Sequence, residues 1–177
     1  MKKLEETNRE LRNSAVMCGL CNQWQMEWSI DWDYDRMISQ FYRGIDFYLK
    51  TRFIDRQFIK EHFDIDLLRK NGILVDDTYS LSNPEKAILI GNSSSTIRVN
   101  GNKHSVIYLT DNAEVKITAK NRSFVIVHAL DSATITAQQS ESARLIVIKH
   151  SYNLTILPGT NAVVKEEYGY LKTKEGN

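Results

Sequence analysis

Two cysteines, four histidines and a run of aspartates are the side chains best suited to chemistry in this 177-residue sequence. Cys18-Gly-Leu-Cys21 sets two thiols at the spacing of a redox pair or of half a zinc site. A zinc site needs further ligands. There is no third cysteine, and His62, His104, His128 and His150 stand at no finger-like spacing from the pair. Redox use goes with a thioredoxin-type βαβ context, which the flanking sequence lacks. The plainer reading makes Cys21 a small buried apolar residue and Cys18 incidental. Asp31-Trp-Asp33-Tyr-Asp35 copies the first half of an EF-hand loop, but Arg36 stands where the loop needs Gly and Tyr42 where it needs Glu. These acids therefore read as a helix cap. His104, His128 and His150 lie on or near one face of a repeat, and could meet there as metal ligands or a proton relay. The repeat sets no carboxylate beside them. No phosphate-cradling glycine loop, nucleophile elbow or metalloprotease helix is found, and no cofactor is implied.

The histidines take their positions from a motif that returns about every ten residues. Ala113-Glu-Val115-Lys-Ile117-Thr-Ala119 is followed by Ser123-Phe-Val125-Ile-Val127-His-Ala129, then Ala133-Thr-Ile135-Thr-Ala137, then Ala143-Arg-Leu145-Ile-Val147. Alternation with period two is the signature of a strand. It puts Val115, Ile117, Val125, Val127, Ile135, Leu145 and Val147 on one side. Asp111-Asn112, Asn121-Arg122, Asp131-Ser132 and Ser140-Glu141 separate the copies, and such residues favour turns. Self-similar units at a fixed period predict a solenoid rather than a meander. Weaker copies at 87–90, 96–99, 105–109, 153–156 and 162–164 bring the total to about nine strands.

The outward positions carry a second alternation. Thr96 and Arg98, Glu114, Lys116 and Thr118, and Thr134 and Thr136 are polar. Val106 and Tyr108, Phe124, Ile126 and His128, and Ile146 and Ile148 are mostly apolar. Two strands per rung, with a rung of roughly 18 to 20 residues, separates these into a polar sheet and an apolar sheet. The apolar face would be contiguous. Such a patch is rarely bare on a soluble monomer, so the N-terminal half or a second subunit is expected to cover it. Tyr108, Phe124, Ile126, Ile146 and Ile148 are the candidate interaction surface, with Trp32 as the loop aromatic expected to be exposed. Cys18, His104, His128 and His150 are the polar candidates.

The N-terminal half reads as helical. Residues 3–13 form a charged helix, expected to fray. Met17, Leu20, Cys21, Trp24 and Trp28 recur at three- and four-residue spacing and predict an amphipathic helix. Asp33 caps a second helix lined by Met37, Ile38, Phe41, Ile45, Tyr48 and Leu49. A third spans Asp55 to Phe63, and Asn71-Gly72 is a helical stop. The expected fold is α+β: a helical region over 1–75 packed on a parallel β-solenoid over 86–171, with a linker at 76–85 and a loose tail at 172–177. A hydrophobic content of 42% with 25% charged residues is globular. A net charge of +1 gives no electrostatic case for nucleic acid. No apolar run is long enough to span a bilayer, and Met1 to Asn13 lacks the apolar core of a signal peptide.

The Ala-x-Val-x-Val-x-Ala style over residues 95–150, with Asp or Asn at the turns, resembles short repeat β-solenoid proteins of Bacteroidetes and their phages and mobile elements. That resemblance implies no particular activity. With no signal-peptide core read at the N-terminus, the expected location is cytoplasmic, or virion-associated if the chain is phage-encoded. The bactofilins are similar more loosely, being richer in glycine and lacking a helical half. Hexapeptide-repeat acyltransferases differ in their six-residue period. The expected function is a non-enzymatic protein-binding or assembly module, acting through a protein partner or self-association. The alternatives are a small-ligand protein or enzyme with a site at the helix–solenoid seam, and a glycan-binding solenoid using Arg98, Lys116, Thr134, Thr136 and Thr155.

Overall fold

The computed structural model describes residues 4–140 and 142–168. Two compact units divide the chain between Asp64 and Ile65.

The first unit is helical: α1 (Leu4–Met17), α2 (Asn22–Glu27), α3 (Tyr34–Arg43), α4 (Ile45–Thr51) and α5 (Arg56–His62). The amphipathic helix expected to run from Met17 to Trp28 is interrupted. Gly19 adopts φ 90° and ends α1. Its N–H donates to Val16 O and that of Leu20 to Ala15 O, at 3.0 Å each, the paired bonds of a Schellman stop. Cys21 then caps α2 from an extended conformation. The N-terminal segment is tied down by Asn8, which is fully buried. Asn8 Nδ2 donates to the carbonyls of Ser29 and Ile30 at 3.0 and 2.9 Å, and its Oδ1 accepts from Trp28 Nε1 at 2.6 Å. Asp33 caps α3 by accepting from Arg36 N at 2.7 Å, as expected, and Asp55 caps α5 through Phe58 N at 2.7 Å. The helix expected from Asp33 to Leu49 breaks at Gly44, where a β-carbon would stand 3.1 Å from the Trp24 ring. Met37, Ile38, Ile45, Tyr48 and Leu49 are buried along it, as the spacing predicts.

The second unit is the parallel solenoid, entered through a short helix α6 (Ile65–Lys70). Its strands are β1 (Ile73–Val75), β2 (Leu81–Ser82), β3 (Lys86–Ile90), β4 (Ser94–Val99), β5 (His104–Leu109), β6 (Glu114–Ala119), β7 (Phe124–Ala129), β8 (Thr134–Gln139), β9 (Arg144–Lys149), β10 (Thr155–Ile156) and β11 (Val163–Glu166). Odd strands form sheet A in the order β1-β3-β5-β7-β9-β11, and even strands form sheet B, β2-β4-β6-β8-β10. Each rung therefore has two strands, as the alternating outer faces predict. Val106 pairs with Ile126, and Ile126 with Ile146, a repeat of 20 residues.

Two expected boundaries move. Residues 76–85 are not a linker. Thr78 bridges to Ser94, and β2 pairs with β4, placing Leu81 in the core beside Ile97. The Asp, Ser and Asn content that read as a linker is the turn chemistry of the first rung. The helical region also ends earlier than residue 75, because α6 belongs to the solenoid unit and lies beside β1. Arg69 fixes it there, donating from Nε and Nη2 to the Asp77 carboxylate at 2.9 Å each. That pair holds the Asp77 carboxyl below the usual carboxylate range, through the Arg69 hydrogen bonds first and its charge besides. Gly72 is required between α6 and β1. It has φ 71°, and a β-carbon there would lie 2.4 Å from Lys86 O. The tail at 172–177 and the last residues of the expected solenoid, 169–171, lie outside the described residues.

Inward residues follow the predicted alternation. Val125, Val127, Ile117, Ile135, Leu145 and Val147 are fully buried. The corners need left-handed backbone, and Gly91, Asp111 and Asp131 supply it at one corner with φ of 74°, 57° and 53°. Asn and Asp tolerate that region better than other residues with side chains. They also bond across rungs. Asp111 Oδ2 accepts from Gly91 N, and Asp131 Oδ2 accepts from Asp111 N, both at 2.9 Å. Asp76, Asn83 and Asn161 accept in the same way from Asn92 N, Asn100 N and Gln139 N. These carboxylates and amides satisfy N–H groups that the turning backbone leaves over.

Candidate functional site: the outer face of sheet A

Register decides which outward side chains meet. In sheet A, Val106, Ile126, Ile146 and Val163 form one column, and Tyr108, His128, Ile148 and Lys165 form the next. His104, Phe124 and Arg144 form a third. The expected interaction residues Tyr108, Phe124, Ile126, Ile146 and Ile148 are thus on one face, in adjacent rungs. All are half-buried. Stacking between rungs accounts for that degree of cover, since Thr96, Thr118, Thr134 and Thr136 on sheet B are half-buried too. Nearer the start of the stack, Ile88 and Ile90 have the same outward phase and are buried.

The outer face of sheet B is polar throughout. Ser94, Glu114, Thr134 and Thr155 share one column, and Thr96, Lys116 and Thr136 the next. Its outward positions on β4, β6, β8 and β10 carry no aromatic ring. A sugar-binding face uses such rings for stacking, so the glycan reading gains no support here.

Trp32, expected to be exposed, is half-buried and belongs to the helical unit. It stacks on Trp28 with ring centroids 5.0 Å apart, and Arg36 lies over it at 5.9 Å. Cys18 and Cys21 are both exposed free thiols, so the expectation of a buried Cys21 is corrected. The helix stop at Gly19 turns Cys21 away from the apolar face that a continuous helix would have given it. Asp33 is used as a cap, as read.

The three histidines separate. His104 sits at the start of β5, is exposed, and meets the edge of Phe124 at 5.9 Å between centroids. His128 and His150 do come together. Tyr108 pairs with His128 in register, and their rings stack at 5.1 Å with 13° between planes. His150 stands two residues beyond Ile148 and is the diagonal neighbour. Its ring is 6° from parallel to that of His128, with centroids 5.3 Å apart, and its Nε2 lies 3.0 Å from His128 Nδ1. On its far side, His150 Nδ1 lies 3.1 Å from the carbonyl oxygen of Glu167. The backbone there is anchored, because Glu167 N donates to Lys149 O at 3.0 Å.

That geometry fixes the tautomers of the neutral pair. A carbonyl oxygen only accepts, so His150 Nδ1 carries a hydrogen and its Nε2 accepts. His128 Nδ1 must then donate to it, leaving the lone pair of His128 on Nε2. The result is a directed chain from His128 through His150 to the Glu167 carbonyl. The sequence placed both histidines near one rung edge. The Glu167 carbonyl was not legible, because a main-chain oxygen leaves no mark in residue type.

Fold and surface together define a two-sheet parallel β-solenoid with one apolar and one polar outer face, preceded by a helical unit. No protein-family model matches the chain, and no curated protein or solved structure matches it. No helix is long and apolar enough to cross a membrane among the described residues.

Proposed function

We propose that the chain is a non-enzymatic protein-binding or assembly module, and that the outer face of sheet A is its contact surface. One observation carries this reading: the two outer faces of a single solenoid differ in kind. Sheet B presents Thr, Ser, Lys, Glu and Arg. Sheet A presents Val106, Ile126 and Ile146 in one unbroken register column, flanked by Tyr108, Phe124 and Ile148. A solenoid needs only its interior to fold, so apolar side chains outside it in consecutive rungs serve something else. A flat, rigid apolar face bordered by charge is the anatomy of a protein contact. The partner is a second copy of the chain in the first instance. An assembly role accords with the phage and mobile-element setting that the repeat resembles.

Light scattering of the full chain over a concentration series tests this. The expected result is a defined oligomer. Ile126→Asp should dissociate it while far-UV circular dichroism stays unchanged, because Ile126 lies outside the solenoid interior. Val125→Asp, one residue away and fully buried, should instead prevent folding. A monomer at every concentration, indistinguishable from the Ile126→Asp variant, would overturn self-association through this face.

A further inference from the structure

We propose that Asn100–Gly101, at the corner between β4 and β5, is a self-modification site, where the asparagine amide is lost through a cyclic imide to give aspartate and its β-linked isomer, isoaspartate. The inference is independent of the contact surface on sheet A. The chain holds two Asn-Gly pairs, Asn71–Gly72 and Asn100–Gly101. In such a pair the glycine nitrogen can reach the asparagine Cγ, because glycine carries no side chain to hinder the approach. The surroundings decide which pair reacts.

Asn71 is held away from reaction. Its Nδ2 donates to Leu67 O at 2.9 Å, and the Gly72 N–H donates to Arg69 O at 3.0 Å. The leaving amide and the attacking nitrogen are thus both engaged by the end of α6, and Gly72 is packed hard against Lys86. Asn100 differs at each point. Its side chain is exposed. The Gly101 N–H donates to Asn100 Oδ1 at 2.9 Å, so the attacking nitrogen already lies against the amide it attacks. Nothing stands within 4 Å of the place a Gly101 β-carbon would take, which leaves room for the amide plane to turn its carbonyl face to that nitrogen. Asn121 Nδ2, from the next rung, donates to the same Oδ1 at 2.8 Å, and the exposed Asn121 side chain can follow the turn. Negative charge gathers on Oδ1 as the nitrogen adds to Cγ, and a donor on that oxygen lowers the barrier.

The reaction needs only base and water. Base takes the Gly101 amide proton, the bond from Gly101 N to Asn100 Cγ forms, and the Cγ–Nδ2 bond breaks. Nδ2 leaves as ammonia, carrying away one proton. Water then opens the imide. Cleavage between Cγ and nitrogen gives aspartate; cleavage between the main-chain carbonyl carbon and nitrogen gives isoaspartate. Either product adds one negative charge, so the formal net charge of +1 falls to zero. Isoaspartate also lengthens the main chain by one carbon, at a corner that Asn83 Oδ1 fastens to the previous rung through Asn100 N at 2.8 Å.

The test incubates the full chain in neutral and in mildly alkaline buffer, with a parallel sample in denaturant. Ion exchange separates the more acidic product. Peptide mapping by mass spectrometry locates it, and an isoaspartyl methyltransferase marks the β-linked isomer. In the folded chain Asn100 should convert at least about tenfold faster than Asn71, since small changes in placement alter rates by such factors. The rate should rise with pH, and in denaturant the two sites should convert alike. Asn121→Gly removes the donor and suits the backbone there, where φ is 50°. It should slow Asn100 by about three- to tenfold in the folded chain and leave the rate in denaturant unchanged. Conversion of Asn100 no faster than that of Asn71 in the folded chain, or acidic product without isoaspartate, would overturn the site. An unchanged folded-state rate in Asn121→Gly would overturn the part given to Asn121.

Discussion

Asn121 and Arg122 stand together in the left-handed region, with φ of 50° and 60°. Two successive positive values are what a type I′ turn requires, and Asn-Gly is the pair that takes them at least cost. Arg122 is the residue out of place, since a side chain in this conformation costs about 1 kcal/mol or more. Arg122→Gly should therefore raise stability by about 1 kcal/mol, despite the greater freedom glycine has in the unfolded chain. Chemical denaturation of the two proteins measures it, and a variant less stable than the parent would contradict the backbone account. The other corners show what the sequence could and could not disclose. Asp111, Asn121 and Asp131 were recognisable as turn residues from type and spacing. Their hydrogen bonds to the rung before were not, because each reaches a partner 20 or 21 residues back. Asn8 was hidden for a similar reason. A buried amide in a charged segment has no pattern to betray it, and only its bonds to Trp28, Ser29 and Ile30 show what it holds.

At the scale of elements, periodicity was a sound guide to strands and a weaker one to helix ends. Alternation in β6, β7 and β9 assigned their inner and outer faces correctly, since period two leaves no ambiguity once one face is buried. The helix through Met17 and Trp28 failed because a single residue, Gly19, outweighed the apolar spacing around it. Met17 is left 88% exposed as a result. The segment 76–85 failed in the other direction: β2 is two residues long, too short to register as a strand. What fastens α6 to this first rung is the Arg69–Asp77 pair, and its contribution depends on pH. The Asp77 carboxyl is held below its unfolded value, so the stabilisation is complete above about pH 4 and is lost as the pH falls through the lower, folded value. Thermal melts from neutral pH downward should show the gap between the parent and Asp77→Asn narrowing below about pH 4. A gap that stays constant into the acid range would rule out the ion pair as its source.

The solenoid as a whole is a stack of nearly interchangeable units, each resting on the one before. Val147 is fully buried, whereas Val164, its partner in the last described rung, is 42% exposed. Among the described residues β11 has a paired strand on one side only, and contacts between adjacent rungs supply the cohesion. From β3 to β9 the 20-residue register makes the stack a ruler with a fixed graduation, while the rungs at either end depart from it. Removing residues 114–133 joins Ala113 to Thr134, restores every inward position, and shortens the stack by one step of about 4.8 Å. That protein should fold, with a lower melting temperature. Removing only residues 114–123 should leave a misassembled product, although the sequence lost is half as long. It would send Phe124 and Ile126 to the face where Glu114 and Lys116 belong, and exchange the polar and apolar sides from that point on. From β3 to β9 the register therefore favours change in whole rungs, and each whole rung added there would widen the apolar face by one more row without altering its chemistry.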